Sequence, residues 1–217
     1  MQIPPIQPYP MPTGTDLPPN TARWNIDPRR CVLLIHDMQN YFLDMFPVER
    51  EPLTTLVENV FRLREACHAA AVPVAYTAQP GGMTEEQRGL LREFWGPGMS
   101  KDPAQRAIAA PITPAGGERV FTKWRYSAFH RTGLLDYLRE NDRDQILICG
   151  VYAHIGCLMT ASDAYSHDIE PFLIADGLAD FSVEFHRMAL EYASARCAVT
   201  VTAESALRAL SLAEARR

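Results

Sequence analysis

Two hydrophobic periods alternate along this chain. Short runs rich in apolar and β-branched residues occupy Cys31–His36, Val72–Thr77, Arg119–Thr122, Gln145–Val151, Pro171–Ala175 and Ala198–Thr202, and this pattern marks strands, most of them covered on both faces. Between most of these runs the apolar residues recur at helical spacing. The helical stretches are Thr54–Ala71, where Leu56, Val60, Leu63 and Cys67 line one face, then Thr132–Asn141, His154–His167, Glu184–Cys197 and Glu204–Ala213. Strands joined by helices predict an α/β fold: a three-layer, Rossmann-like domain with a mostly parallel, roughly six-stranded sheet and helices on both faces.

Prolines and glycines mark where this alternation stops. Residues 1–30 carry Pro4, Pro5, Pro8, Pro10, Pro12, Pro18 and Pro19, which fix φ and lack an amide proton. They predict an extended arm on the surface or on a neighbouring subunit, leaving 31–217 as one α/β domain. Thr77–Ala115 is broken by Gly81-Gly82, Gly96-Pro97-Gly98 and Pro103, so it reads as a long excursion with short helices, of the kind that carries function.

Composition narrows the classes of function. With 217 residues and 47% hydrophobic content the chain can bury one sizeable core. A net charge of -5 with scattered basic residues argues against nucleic acid as a partner. No apolar run approaches the roughly 20 residues that span a bilayer, and the N-terminus lacks a basic, then apolar, leader; the expectation is no membrane association and a cytoplasmic location. Cys31, Cys67, Cys149, Cys157 and Cys197 are odd in number and widely spaced, which predicts buried free thiols rather than a disulfide framework. Neither Cys-x-x-Cys nor His-x-x-x-His occurs, and no Gly-x-Gly-x-x-Gly follows the first run, so neither a metal nor a dinucleotide cofactor is expected.

An open parallel sheet binds its ligand beyond the carboxyl ends of its strands. There the sequence places Asp37 after the first run, Gln79 after the second, Lys123 after the third and Tyr152 after the fourth. A carboxylate, an amide, an ammonium and a phenol thus share one rim. Asp37 also fits a turn residue and Lys123 a solvated one; together they are more specific. His36 precedes Asp37 on the strand, and alternation directs it to the opposite side as a hydrogen-bonded structural residue. Asp180 and His186 are expected to cap and pack.

Longer motifs carry a resemblance. Leu33-Leu34-Ile35-His36-Asp37-Met38-Gln39, Tyr76-Thr77-Ala78-Gln79-Pro80, Phe94-Trp95-Gly96-Pro97-Gly98, Lys123-Trp124-Arg125-Tyr126-Ser127-Ala128-Phe129, Gly150-Val151-Tyr152-Ala153-His154-Ile155-Gly156-Cys157 and Ala179-Asp180-Phe181-Ser182 resemble, in order, the isochorismatase family of α/β hydrolases, including its siderophore and phenazine branches. The resemblance implies hydrolysis of the enol ether of isochorismate or 2-amino-2-deoxyisochorismate with release of pyruvate. It implies catalytic roles for Asp37, Lys123 and Gly156, substrate contacts from Gln79, Arg88 and Tyr152, a non-proline cis peptide at Val151–Tyr152, and a homodimer. Phe42 and Trp95 are candidate apolar walls that would raise the pKa of Asp37 for use as a general acid. Cysteine hydrolases of the wider family place their nucleophile where this chain has Gly156; Cys157, one helical step of about 100° further on, is expected to point away. Two rivals stay open: a cysteine hydrolase using Cys157 or Cys149 on an amide, and a binding or scaffold protein. A chain ending at Arg217 has no room for an aryl carrier domain, which favours a standalone enzyme.

Overall fold

The computed structural model describes residues 3–214. Six strands, β1 (Cys31–His36), β2 (Val74–Ala78), β3 (Arg119–Thr122), β4 (Gln145–Val151), β5 (Glu170–Ala179) and β6 (Val199–Val201), form one sheet in the order β3-β2-β1-β4-β5-β6. Every neighbouring pair is parallel. The main helices are α1 (Leu53–Ala69), α2 (Leu134–Glu140), α3 (Leu158–Ser166), α4 (Val183–Arg196) and α5 (Ala203–Glu214).

The period-two geometry of a strand sorts the core into two halves. Leu33, Ile35, Leu147 and Phe172 face α1 and α5, meeting Leu56, Val60, Leu63 and Leu210. Val32, Leu34, Ile146 and Ile148 face the other way, against Leu134 and Leu138 of α2, Ala161 of α3 and Leu190 of α4. The three layers expected from the alternating periods are therefore present, and all six runs became strands.

Several details differ from the sequence reading for local reasons. Strand β2 begins at Val74, because Pro73 has no N–H and uses only its carbonyl, which accepts from Leu33 N–H at 3.0 Å. Strand β5 continues past Ala175 to Ala179, with a register shift against β4 between Ile148 and Gly150. Helix α3 is preceded by a π-helical turn at Ala153–Cys157. In the excursion, short helices occupy Glu85–Arg88, Leu91–Trp95 and Pro103–Arg106, and the first two end at Gly89 (φ 50°) and Gly96 (φ 61°), conformations that suit glycine.

The proline-rich arm lies on its own chain. Ile6 N–H donates to the Met45 carbonyl at 2.9 Å. The Tyr9 hydroxyl is buried, accepts from Asp180 N–H at 2.7 Å and meets His186 Nδ1 at 3.1 Å. Further along, the Asn20 side chain donates to the Thr200 carbonyl at 2.9 Å and accepts from Thr200 N–H at 2.7 Å.

Strand order reverses between β1 and β4: the chain steps from β1 outward through β2 and β3, then returns to β4 and proceeds the other way. A crevice opens at such a switch point, beyond the carboxyl ends of the strands. That is where the polar rim lies.

Candidate active site

Asp37 directly follows β1, and its φ of 50° lies in the left-handed region. A residue with a Cβ costs roughly 1–3 kcal/mol there and stays only when its surroundings fix it. Thr77, at the end of the neighbouring strand, does so twice. Its Oγ1 accepts from Asp37 N–H at 3.1 Å, and its hydroxyl donates to Asp37 Oδ1 at 2.6 Å. Asp37 Oδ2 stands 3.0 Å from Lys123 Nζ. Lys123 directly follows β3, and its ammonium also donates to the Arg125 carbonyl at 2.6 Å. Both ionic side chains are buried.

Burial pushes the Asp37 carboxyl upward, but the Lys123 ammonium and the hydrogen bonds from Thr77 and Lys123 outweigh it and hold the group below its ordinary value. The sequence reading expects the opposite, a raised pKa from apolar walls. In the free site the ammonium at 3.0 Å has no competing anion, so the carboxylate form is favoured.

Around this pair lies a cleft of about 560 Å³. All eight residues singled out from the sequence, Asp37, Phe42, Gln79, Arg88, Trp95, Lys123, Tyr152 and Gly156, line it. Gln39 orients the Gln79 backbone: its Oε1 accepts from Gln79 N–H at 2.7 Å and its Nε2 donates to the Gln79 carbonyl at 3.0 Å. Arg88 is buried and donates through Nε to the Gly96 carbonyl at 3.0 Å. Burial lowers the Arg88 pKa. Tyr152 donates to the Phe42 carbonyl at 2.7 Å and packs on Phe181 with ring centroids 4.5 Å apart. The Val151–Tyr152 peptide is cis. Trp95 donates through Nε1 to the Tyr126 hydroxyl at 2.8 Å.

Other lining residues were not singled out, among them Ile3 of the arm, Tyr41, Arg125, Tyr126 and Phe181. Arg125 Nη1 donates to the carbonyls of Gln87 and Trp124. The cleft wall thus carries Arg88, Lys123 and Arg125 against Asp37 alone. Among the described residues, neutral acceptors rather than carboxylates orient both guanidiniums. A wall with two surplus cations suits a dianion.

His36 is buried and hydrogen-bonded, as expected, but it also lines the cleft, with Nδ1 3.9 Å from Asp37 Oδ1. Cys157 packs into the core against α2, α3 and α4, and Cys149 into the core against α1 and α5. Burial pushes both thiols up. An unreactive, enclosed thiol is a poor nucleophile, which counts against the cysteine-hydrolase rival. Asp180 caps the helical turn after β4, accepting from His154 N–H and His154 Nδ1, each at 2.6 Å.

A parallel α/β domain with a buried carboxylate–ammonium pair and a cationic cleft at its switch point defines a small-molecule enzyme of the three-layer hydrolase class. An Isochorismatase domain model matches residues 31–205, and the chain belongs to the isochorismatase family. It is 55% identical over 205 residues to the phenazine biosynthesis protein PhzD1 of Pseudomonas aeruginosa, spanning 94% of this chain and 98% of that one. It is 51% identical over 215 residues to the isochorismatase of Bacillus subtilis, spanning 99% of this chain and 69% of that one. Among solved structures, a cysteine hydrolase from Pseudomonas syringae pv. phaseolicola superposes with a TM-score of 0.80 at 21% identity, covering 90% and 98% of the two chains; it shares the fold.

Proposed function

We propose that this protein hydrolyses the enol ether of isochorismate or 2-amino-2-deoxyisochorismate, releasing pyruvate and a dihydro-hydroxybenzoate or dihydro-hydroxyanthranilate. The observation that carries the reading is the charge of the cleft, with Arg88, Lys123 and Arg125 set against Asp37. Either substrate brings two carboxylates to that surplus. The names of the PhzD1 and isochorismatase relatives support the same chemistry.

Substrate binding reverses the balance at Asp37. A substrate carboxylate beside Lys123 shares its ammonium, and burial is then the dominant influence on Asp37, which takes up a proton. The protonated carboxyl gives that proton to the terminal vinyl carbon, converting the enol ether to an oxocarbenium ion. Water adds to the cationic carbon and returns a proton to Asp37. The hemiketal carbon then releases the ring-borne oxygen, to which the hemiketal hydroxyl proton passes, leaving pyruvate and the ring alcohol. Arg88 and Gln79 hold carboxylate and hydroxyl groups, Tyr152, Phe42 and Trp95 shield the reacting carbon from bulk water, and Gly156 presents backbone alone to the cleft beside it. No covalent acyl-enzyme forms.

The reading extends to a homodimer acting in the cytoplasm. Family membership supports the first, and the exposed row Phe185, Met188 and Tyr192 on α4 is a surface that pairing could cover. The free, buried cysteines support a reducing compartment. Among the described residues no helix is long and apolar enough to cross a membrane.

The test offers isochorismate and 2-amino-2-deoxyisochorismate separately to wild type and Asp37→Ala and measures pyruvate. Wild type should release pyruvate from one or both, and the variant should lose it. No pyruvate from either substrate sinks the reading, and equal pyruvate from the two proteins removes Asp37 from the mechanism.

A further inference from the structure

Gly156 poses a question that its backbone does not answer. It lies in the π-helical turn Ala153–Cys157, without the positive φ that would demand glycine. Alanine ordinarily stabilises a helix relative to glycine. What forbids a side chain is space: a Cβ at residue 156 would run into His36 Cε1 and lie 3.0 Å from its Nε2 and 3.1 Å from its Nδ1. The imidazole of His36 occupies the volume into which any side chain at this position would project.

That ring is held from both ends. Nδ1 lies 2.9 Å from the Val151 carbonyl, which can only accept, so Nδ1 carries the proton. Nε2 is then an acceptor, and the Thr160 hydroxyl from α3 donates to it at 3.3 Å. Gly150, on β4, leaves room for the same residue from below, since a Cβ there would strike the His36 backbone carbonyl. Burial keeps the imidazole neutral. A neutral ring 3.9 Å from Asp37 Oδ1 borders the carboxyl without competing for its proton.

We propose that His36 is a positioning residue for Asp37, and that its ring, fitted against Gly156, excludes a side-chain nucleophile from this site. The glycine is thus the complement of the histidine: residue 156 cannot gain a side chain while the imidazole is in place. The positioning half rests on the reading of Asp37 as proton donor; the fit between His36 and Gly156 does not.

A double-mutant cycle separates the two. Thermal unfolding is measured for wild type, Gly156→Ala, His36→Ala and the double variant, with no substrate needed. Gly156→Ala should lower Tm by several degrees in the histidine background and leave it unchanged or raised in the alanine background. If the single variant does not fold, a recovered cooperative transition in the double variant carries the same result. Additive Tm shifts would overturn the fit. For positioning, pyruvate release is measured for His36→Ala and His36→Asn, because an asparagine amide can still donate to the Val151 carbonyl. His36→Ala should lose at least tenfold in kcat with KM within about twofold, and His36→Asn should recover most of it. Unchanged kcat in His36→Ala, or a loss that merely tracks the folded fraction, overturns the role. Absence of pyruvate from wild type would instead sink the substrate reading and leave the unfolding cycle intact.

Discussion

Asp37 Oδ2 and Lys123 Nζ stand 3.0 Å apart with side chains 5% and 3% exposed. Two charges so enclosed stabilise each other, but each pays a desolvation cost that the partner must offset. Asp37→Ala should therefore destabilise the fold by about 3–5 kcal/mol by leaving the ammonium unpaired. Asp37→Leu combined with Lys123→Met should cost less than Asp37→Ala alone in chemical denaturation. An equal or greater loss in the double variant would count against a tightly coupled pair.

Reversal of the Asp37 balance on binding has a calorimetric signature. In the free site the carboxyl is held low by Lys123 and its hydrogen bonds; with a dianion bound it is to be protonated. Binding of a substrate-like dicarboxylate should take up about one proton at neutral pH, seen as a dependence of the apparent enthalpy on buffer ionisation heat. If only the protonated carboxyl acts, kcat/KM should fall roughly tenfold per pH unit above the free-site pKa, while the corresponding limb of kcat lies at higher pH. Coincident limbs would show that binding leaves Asp37 unchanged.

Arg88 donates to the neutral Gly96 carbonyl and lines the cleft; in the proposed reading it meets a substrate anion. Removing a charged hydrogen-bond donor costs about 1.5–3 kcal/mol, so Arg88→Met should raise KM by roughly 10- to 100-fold. If the contact is equal in ground and transition states, kcat stays near its original value. Steady-state pyruvate release tests this, and an unchanged KM would place the substrate carboxylates elsewhere.

Acid should weaken the fold through its buried histidines. Burial brings His36 and His186 each down to about 4, against about 6.5 in an unfolded chain. Between those values the unfolded chain binds more protons. Stability is complete above about pH 6.5 and falls as pH drops toward 4, by up to about 1.4 kcal/mol per pH unit for each histidine. Thermal melts at about pH 7 and pH 5 should differ accordingly, and equal Tm values would refute neutral burial.

Tyr9 joins the arm to the core through its hydroxyl, between Asp180 N–H and His186 Nδ1. Tyr9→Phe leaves both groups buried without that partner and should cost about 1–3 kcal/mol. Urea denaturation measures it; a loss below the error of the method would make the bridge incidental.

The sequence showed the sheet more clearly than the walls of the cleft. Strands covered on both faces leave continuous apolar runs, so the inner ones were legible directly; β3, exposed at three of its four residues, was legible from its β-branched residues, and strand-end chemistry followed from topology. Register was not: the extension of β5 to Ala179 accompanies a shift against β4 between Ile148 and Gly150 that no periodicity announces. The cleft residues next to strand ends, Asp37, Lys123 and Tyr152, were visible for the same reason the strands were. Arg88 required the family motifs, since its own segment reads as an exposed helix. Ile3 was hidden because the arm reaches the cleft by a path fixed only in three dimensions, and Arg125 because its guanidinium is aimed by carbonyls of Gln87 and Trp124 rather than by any pattern. Alternation placed His36 away from Asp37, but the left-handed backbone at Asp37 ends strand geometry there, so both residues reach one cleft.

Asn20 gives the proline-rich arm a second consequence. Strand β6 is three residues long and forms one border of the sheet; at its middle residue, Thr200, both N–H and carbonyl are engaged by the Asn20 amide. A side chain here imitates the backbone of an additional strand, closing the spot where a foreign chain would begin to zip on. The cover over this border strand is thus encoded far upstream of the strand itself.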